Sequence, residues 1–336
     1  MKERDWKSVF ADLRKKIYAP TYLLMGEEPF FIDVIADQIE KRVLDETEKE
    51  FNQTILYGRD TDVPTLISIA RRYPMMANHH VVIVKEAHML KNIEELEPYI
   101  RKPVSSTVLV LCHKYKSIPK NRTFVKAFYD NKGVVMESKK MYDNQIPAWI
   151  ADTVKNHGYR IDNKATQLLA DHLGNDLGKI INELKKVYIS LQKGGEITPQ
   201  LIEKNIGISK DFNVFELQNA LTQKDSFKAF QIVKYFADNP KSNPIMMTMA
   251  VLYTYFSRIL VYHRLKDKNE KSVASELRMS PFFVKDLQRA ASKYSEPKVF
   301  AIMSLLREYD VRSKGVDNQS ASHGELFKEM IYKILN

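Results

Sequence analysis

Up to about residue 140 the chain alternates short runs rich in β-branched and aliphatic residues with stretches whose apolar positions recur every three or four residues. The runs at 21–25, 54–57, 81–84, 107–111 and 134–136 are mostly continuous in apolar character, which predicts strands buried on both faces. Helices are predicted over about 29–44, 63–73, 93–99 and 121–131, so strand and helix alternate as in a largely parallel sheet covered by helices. From Gln145 onward the β signal nearly disappears. Helical spacing continues over 145–157, 163–173, 177–192 and 198–206, punctuated by Gly174, Gly194 and Gly195. Longer amphipathic helices follow at 214–222, 226–238, 244–266, 272–278, 281–293, 297–314 and 323–335, joined by short polar segments as in an all-α bundle. The predicted class is α/β plus all-α in three domains: 1–142 around the sheet, 143–210 helical, and 211–336 helical.

The first strand runs into Gly26 and then into a helix that carries Phe31, Val34, Ile35 and Ile39 at helical spacing, the opening of a nucleotide-binding α/β domain. A loop that grips phosphate needs a second glycine for close backbone approach, a lysine to reach the phosphates, and a serine or threonine for magnesium. Glu27, Glu28, Pro29 and Phe30 stand there instead. Two carboxylates take the position of the phosphate, and Pro29 removes a backbone donor. The loop is a degenerate P-loop: ATP is not expected to bind, and no cofactor is expected.

A length of 336 residues with 44% apolar content suffices for two or three domains with real cores. Lys plus Arg number 52 against 42 for Asp plus Glu, and the net charge of +10 suits an acidic partner such as nucleic acid. Basic residues concentrate between Arg101 and Lys140, where Lys114, Lys116, Lys120 and Arg122 are the candidates for meeting DNA phosphates. A solvated face of a soluble protein explains each of them equally well. The single cysteine, Cys112, ends an apolar run and reads as an inert core thiol of a reduced compartment. Residues 1–7 are charged and lack the apolar core of a signal peptide, and no apolar run approaches the roughly 20 residues that span a bilayer. The expected location is cytoplasmic, with no membrane partner.

Catalytic chemistry finds little support. No carboxylate pair is marked out as a general acid and base, and no catalytic residue is expected. His79 and His80 alternate faces on a strand and His88 adds no complete ligand set, so no metal site is expected. His323, beside Ser320 and Ser322, reads as a helix cap, and Phe227, Phe230, Tyr235 and Phe236 read as bundle core.

Several motifs in fixed order resemble the family of delta subunits of the bacterial DNA polymerase III clamp loader. They are Tyr22-Leu-Leu-Met-Gly-Glu-Glu-Pro-Phe-Phe-Ile-Asp33, Pro74-Met75-Met76 ahead of Val81-Val-Ile-Val-Lys85, and Pro147-Ala-Trp-Ile150. Gly174-Asn-Asp-Leu-Gly178 leading to Asn182-Glu-Leu-Lys185, the stretch from Ile197-Thr-Pro199 to Gly207, and Asn213-Val-Phe-Glu-Leu217 with Ala220-Leu221 complete the set, which spans nearly the whole chain. The resemblance implies an AAA+-like module, a helical lid and a C-terminal collar that serves oligomerisation, in a subunit that does not hydrolyse ATP. In an AAA+ ATPase the strand at 81–84 would end in an acidic pair for magnesium and water, but here it ends in Lys85-Glu86, and a cation cannot ligate a cation. The arginine of the lid's Gly-x-x-Arg motif is replaced by Leu177. Gly26, Glu27, Glu28, Lys85 and Leu177 therefore mark an emptied nucleotide site.

The resemblance further implies an apolar tip that wedges one interface of the ring-shaped sliding clamp. Pro74, Met75 and Met76 match its position, with methionine where bulkier Phe or Leu is frequent. Methionine is unbranched and polarisable and suits an adaptable binding surface. Read from the residues alone, the two methionines fit equally well as core residues at a helix end. The implied partners are the sliding clamp, the sibling subunits of a hetero-pentamer, and primed DNA within the complex, in which any DNA polymerase activity belongs to the assembly. An active AAA+ ATPase or helicase-loading factor, and a DNA-binding regulator, are the competing readings.

Overall fold

A computed structural model of the chain describes residues 4–318 and 320–336. Residues 1–3 of the charged N-terminal stretch lie outside the described residues. The chain parts into two compact units, Met1–Met141 and Tyr142–Asn336.

The first unit is built on five parallel strands: β1 (Thr21–Gly26), β2 (Gln53–Tyr57), β3 (His80–Lys85), β4 (Thr107–Lys114) and β5 (Val134–Glu137). Their order across the sheet is β2-β3-β4-β1-β5, so β1 lies between β4 and β5 with Leu23 beside Leu111 and Val135. The helices are α1 (Trp6–Arg14), α2 (Pro29–Arg42), α3 (Glu46–Asn52), α4 (Val63–Ala70), α5 (Glu97–Arg101) and α6 (Thr123–Asp130). Successive strand residues face opposite sides of the sheet. Leu23, Val82, Val84, Leu109, Leu111 and Val135 form one core with Leu66 and Ala70 of α4, Tyr99 of α5 and Phe124 and Phe128 of α6. β1, β3, β4 and β5 are buried along nearly their whole length, as the continuous runs predicted, whereas the edge strand β2 is only half-buried and ends in the exposed Tyr57, a departure from that prediction.

Two helices of this unit go beyond the sequence prediction. In α1, Asp5 caps the N-terminus by accepting the Ser8 N–H, and the Trp6 ring stacks on Phe31 of α2 at 4.6 Å. Trp6, Val9, Phe10 and Leu13 do recur at helical spacing, a signal masked by the charged residues before it. In α3 (sequence ETEKEFN) no apolar stripe exists to be found; its only marker is a capping box between Asp45 and Glu48.

The second unit opens with α7 (Ile146–Asn156), α8 (Asn163–Leu173), α9 (Leu177–Ile189) and α10 (Pro199–Ile206). A two-residue parallel bridge pairs β6 (Arg160–Ile161) with β7 (Glu196–Ile197), too short to show in a sequence pattern. The bundle follows: α11 (Val214–Gln223), α12 (Ser226–Asp238), α13 (Ile245–Arg264), α14 (Glu270–Glu276), α15 (Val284–Lys293), α16 (Glu296–Ser313) and α17 (His323–Leu335). The expected lid–collar boundary at 210 falls inside this unit.

Three sequence readings are corrected here. Phe227 is 76% exposed on α12, although Phe236 is buried in the bundle core, because Phe227 falls on the opposite side of the helix from Ala229, Ile232, Val233 and Phe236. The cap of α17 is Ser322, which forms a capping box with Glu325, while His323 is the first helical residue and bonds the Ser313 carbonyl at 3.0 Å. Finally, one apolar segment does approach bilayer length: α13 has 20 residues and a mean hydropathy of 1.4 over its most apolar window. Ile245, Met249, Leu252, Phe256 and Ile259 of this helix lie in the core of the bundle, which accounts for part of its apolar character.

Candidate functional site

The carboxyl ends of the parallel strands are where an open α/β sheet places a ligand. At the end of β1, Gly26 has φ +131°, and a Cβ there would overlap the Ser138 carbonyl oxygen, so only glycine fits. The Ser138 N–H donates to the Met25 carbonyl at 2.7 Å, and the Glu28 N–H donates to the Ser138 carbonyl at 3.1 Å, tying the turn to the chain after β5. Glu28 is buried and caps α2: its carboxylate accepts the Phe30 N–H at 3.0 Å. Pro29 fills the first position of the helix. The helix N-terminus that would attract a phosphate is already capped by an internal carboxyl group.

The other residues expected to mark a nucleotide site are paired, exposed or buried in the second unit. Lys85, at the end of β3, pairs with Glu40 of α2 at 3.1 Å. Burial pulls the Lys85 ammonium down, but the hydrogen bond and charge of Glu40 outweigh it and hold its pKa above the usual lysine value. Lys114, at the end of β4, pairs with Asp33 of α2 at 2.7 Å. Glu27 is exposed, and Leu177, the first residue of α9, is fully buried in the second unit. Cys112 is buried and its thiol is pushed up to about 12, which makes it inert. The histidines do not converge: His80 is buried in β3, His79 packs edge-on to Tyr18, and His88 meets Tyr115 and His113. Among the described residues no three His, Cys, Asp or Glu side chains gather as a metal-binding group.

A second feature lies at the opposite edge. Helix α4 stops at Ala70, short of the predicted 73, and the Ala70 carbonyl accepts both the Tyr99 hydroxyl at 3.1 Å and the Thr107 hydroxyl at 2.9 Å. Two tertiary donors thus replace the next helical turn, and Pro74 keeps Tyr73 out of helical geometry. In the segment that leads to β3, Tyr73 is 79% exposed, Met75 is 63% exposed and Met76 is fully exposed. The two methionines are surface residues, which excludes the reading of the pair as core. Met76 has φ 51°, in the left-handed region where a side chain is strained.

Sequence reasoning missed the residue that holds this segment in place. Asn52, the last residue of α3, is 1% exposed. Its amide oxygen accepts the Met75 N–H at 2.6 Å, and its amide nitrogen donates to the Met75 carbonyl at 2.9 Å and to the Glu48 carbonyl at 3.0 Å. An isolated asparagine in a polar helix, 23 residues from its partner, carries no local signal of such a role.

The basic run is less free than its charge suggests. Besides the Lys114–Asp33 pair, Lys120 meets Glu137 at 2.7 Å and Arg122 approaches Glu94 at 3.9 Å. Lys116 is exposed, and its carbonyl faces the His113 ring at 2.9 Å.

Comparison with known proteins places the chain in a family. The family model described as DNA polymerase III, delta subunit, matches residues 22–138, and that of the delta subunit's C-terminal domain matches residues 211–329. The DNA polymerase III subunit delta of Bacillus subtilis is 27% identical over 330 residues, covering 94% of this chain and 92% of that protein. The replication factor C small subunit of Thermoplasma volcanium is 32% identical over 87 residues, 26% of each chain. Among solved structures, the Bacillus subtilis DNA clamp loader delta protein aligns over 98% of this chain and 99% of its own, with a TM-score of 0.54 and 22% identity.

Proposed function

The chain belongs to the family of DNA polymerase III delta subunits, and from that premise we propose that it binds and opens the sliding clamp through Pro74, Met75 and Met76. As a clamp-loader subunit it serves DNA replication and is not an enzyme by itself. The observation that carries the finer reading is the pair of exposed methionines beside the exposed Tyr73 on an irregular segment between α4 and β3, at the position that the resemblance assigns to the tip. Burying two such side chains in a partner's pocket is worth roughly 1.5–3 kcal/mol each, enough for a hot spot.

Opening needs no chemistry on this chain. A tip that binds the sprung ring better than the closed one shifts the ring's equilibrium by that difference in affinity and no more. The Glu28-capped α2 and the Lys85–Glu40 pair argue against ATP at this subunit, so sibling subunits supply the nucleotide-driven step. The second unit's last helices fit a collar shared with those siblings: α13 keeps Met246, Met247, Tyr253 and Val261 exposed while its other face is in the core. Lys114, Lys116, Lys120 and Arg122 are proposed to meet primed DNA within the assembled complex.

The test is the affinity of the full chain for its cognate sliding clamp. The double variant Met75→Ala/Met76→Ala loses at least tenfold in affinity with its thermal transition unchanged. Unaltered binding removes the tip from the mechanism.

A further inference from the structure

We infer that Asn52 is a positioning residue for the docking tip, a bracket that fixes the backbone of Met75 so that the two methionine side chains are held outward. The inference rests on the reading of Met75 and Met76 as the docking tip.

The tip needs such a device. Its segment leaves α4 at Ala70 and reaches β3 at His80 without regular secondary structure between them. Its apolar side chains are exposed and so receive no support from packing. A free loop would lose its conformational entropy on docking, and a loop fixed in advance does not. Asn52 supplies the fixing: one carboxamide satisfies both backbone groups of Met75, the N–H at 2.6 Å and the carbonyl at 2.9 Å. These are the two bonds a neighbouring strand would give, delivered by a side chain where no strand is present.

The side chain doing this is itself rigid. Asn52 is buried, and its third hydrogen bond, to the Glu48 carbonyl at 3.0 Å, anchors the amide to α3. The amide orientation is fixed by its partners, because the oxygen can only face the N–H and the nitrogen can only face the two carbonyls. The residue after the bracketed one, Met76, is the one with left-handed backbone. A strained residue persists only where its surroundings over-determine it, and the bracket on its neighbour does so.

Three measurements on the full chain and its cognate sliding clamp decide the matter. Asn52→Ala should lower clamp affinity about tenfold, because the freed segment must then be ordered on docking, with a cooperative thermal transition retained at a lower temperature. The Met75 amide, whose partner is Asn52, should exchange with deuterium much faster in the variant, while the amides of β3 stay protected. On the Met75→Ala/Met76→Ala background, Asn52→Ala should cost almost nothing further, since there is no anchor left to position. If Asn52→Ala loses its thermal transition, Asn52→Ser keeps a small polar side chain with room for a water at the freed backbone groups, and it should show the same loss of affinity. Unchanged affinity in a folded variant that has lost protection at Met75 overturns the bracket while leaving the tip intact. Unchanged affinity in the methionine double variant overturns the tip itself.

Discussion

Met76 combines an exposed apolar side chain with a backbone that disfavours any side chain. The left-handed conformation costs an L-residue roughly 1 kcal/mol that glycine does not incur. At an ordinary helical or extended position alanine is more stable than glycine by roughly 0.5–1 kcal/mol. At position 76 the order should reverse or vanish: Met76→Gly should melt at or above the temperature of Met76→Ala, while both bind the clamp equally poorly. Melting curves of the two variants check the first half and clamp titrations the second. A clear advantage for alanine would mean that the turn relaxes out of the left-handed region. Retaining methionine at such a position sets local stability against a presented side chain, the compromise expected of binding surfaces.

At the scale of elements, α2 carries the case against nucleotide. Its N-terminus is closed by Glu28, whose carboxylate bonds the Phe30 N–H, and its body offers Asp33 and Glu40 to the lysines that end β4 and β3. Glu28→Ala should cost about 1 kcal/mol, the usual worth of an N-cap, read as a lower thermal transition. ATP with magnesium should produce no shift in that transition in either protein, since losing the cap restores neither a lysine nor a second glycine. A shift in the variant alone would show that Glu28 is the sole barrier. The same helix illustrates what the sequence discloses. Apolar spacing placed α2, and the turn residues Glu27 to Pro29 marked its start, which the structure shows capped by Glu28 with Pro29 in the first position, because both signals are local. Helix α3 was invisible, because its polar sequence leaves its stability to a capping box and to the tertiary contact of Asn52. Where α4 ends was likewise set from outside, by the hydroxyls of Tyr99 and Thr107 on the Ala70 carbonyl. The segment proposed as the tip could thus be picked out from Pro74-Met75-Met76, but the contact of Asn52 with Met75 could not be foreseen. That contact runs between segments 23 residues apart, which periodicity does not register.

For the whole molecule, the net charge of +10 favours nucleic acid in general but does not say which cations act. Near the carboxyl edge of the sheet the lysines differ in what they already hold. Lys114 is engaged by Asp33 and Lys120 by Glu137, so a phosphate must displace or share a carboxylate to meet either. Such partly exposed pairs contribute roughly 0–1 kcal/mol, which makes the exchange feasible but leaves little net release of counterions. Lys116 is exposed, and among the described residues it is in no ion pair with a carboxylate. Each phosphate neutralised by a free cation contributes about 0.9 to the slope of log affinity against log salt. In the assembled clamp loader with its clamp, Lys116→Ala should therefore reduce that slope by nearly one, and Lys114→Ala by clearly less. Titrations of primed DNA at several salt concentrations read both values. Equal reductions would show that the carboxylates give way freely to phosphate, and no reduction for Lys116 would place the DNA path on another face of the subunit.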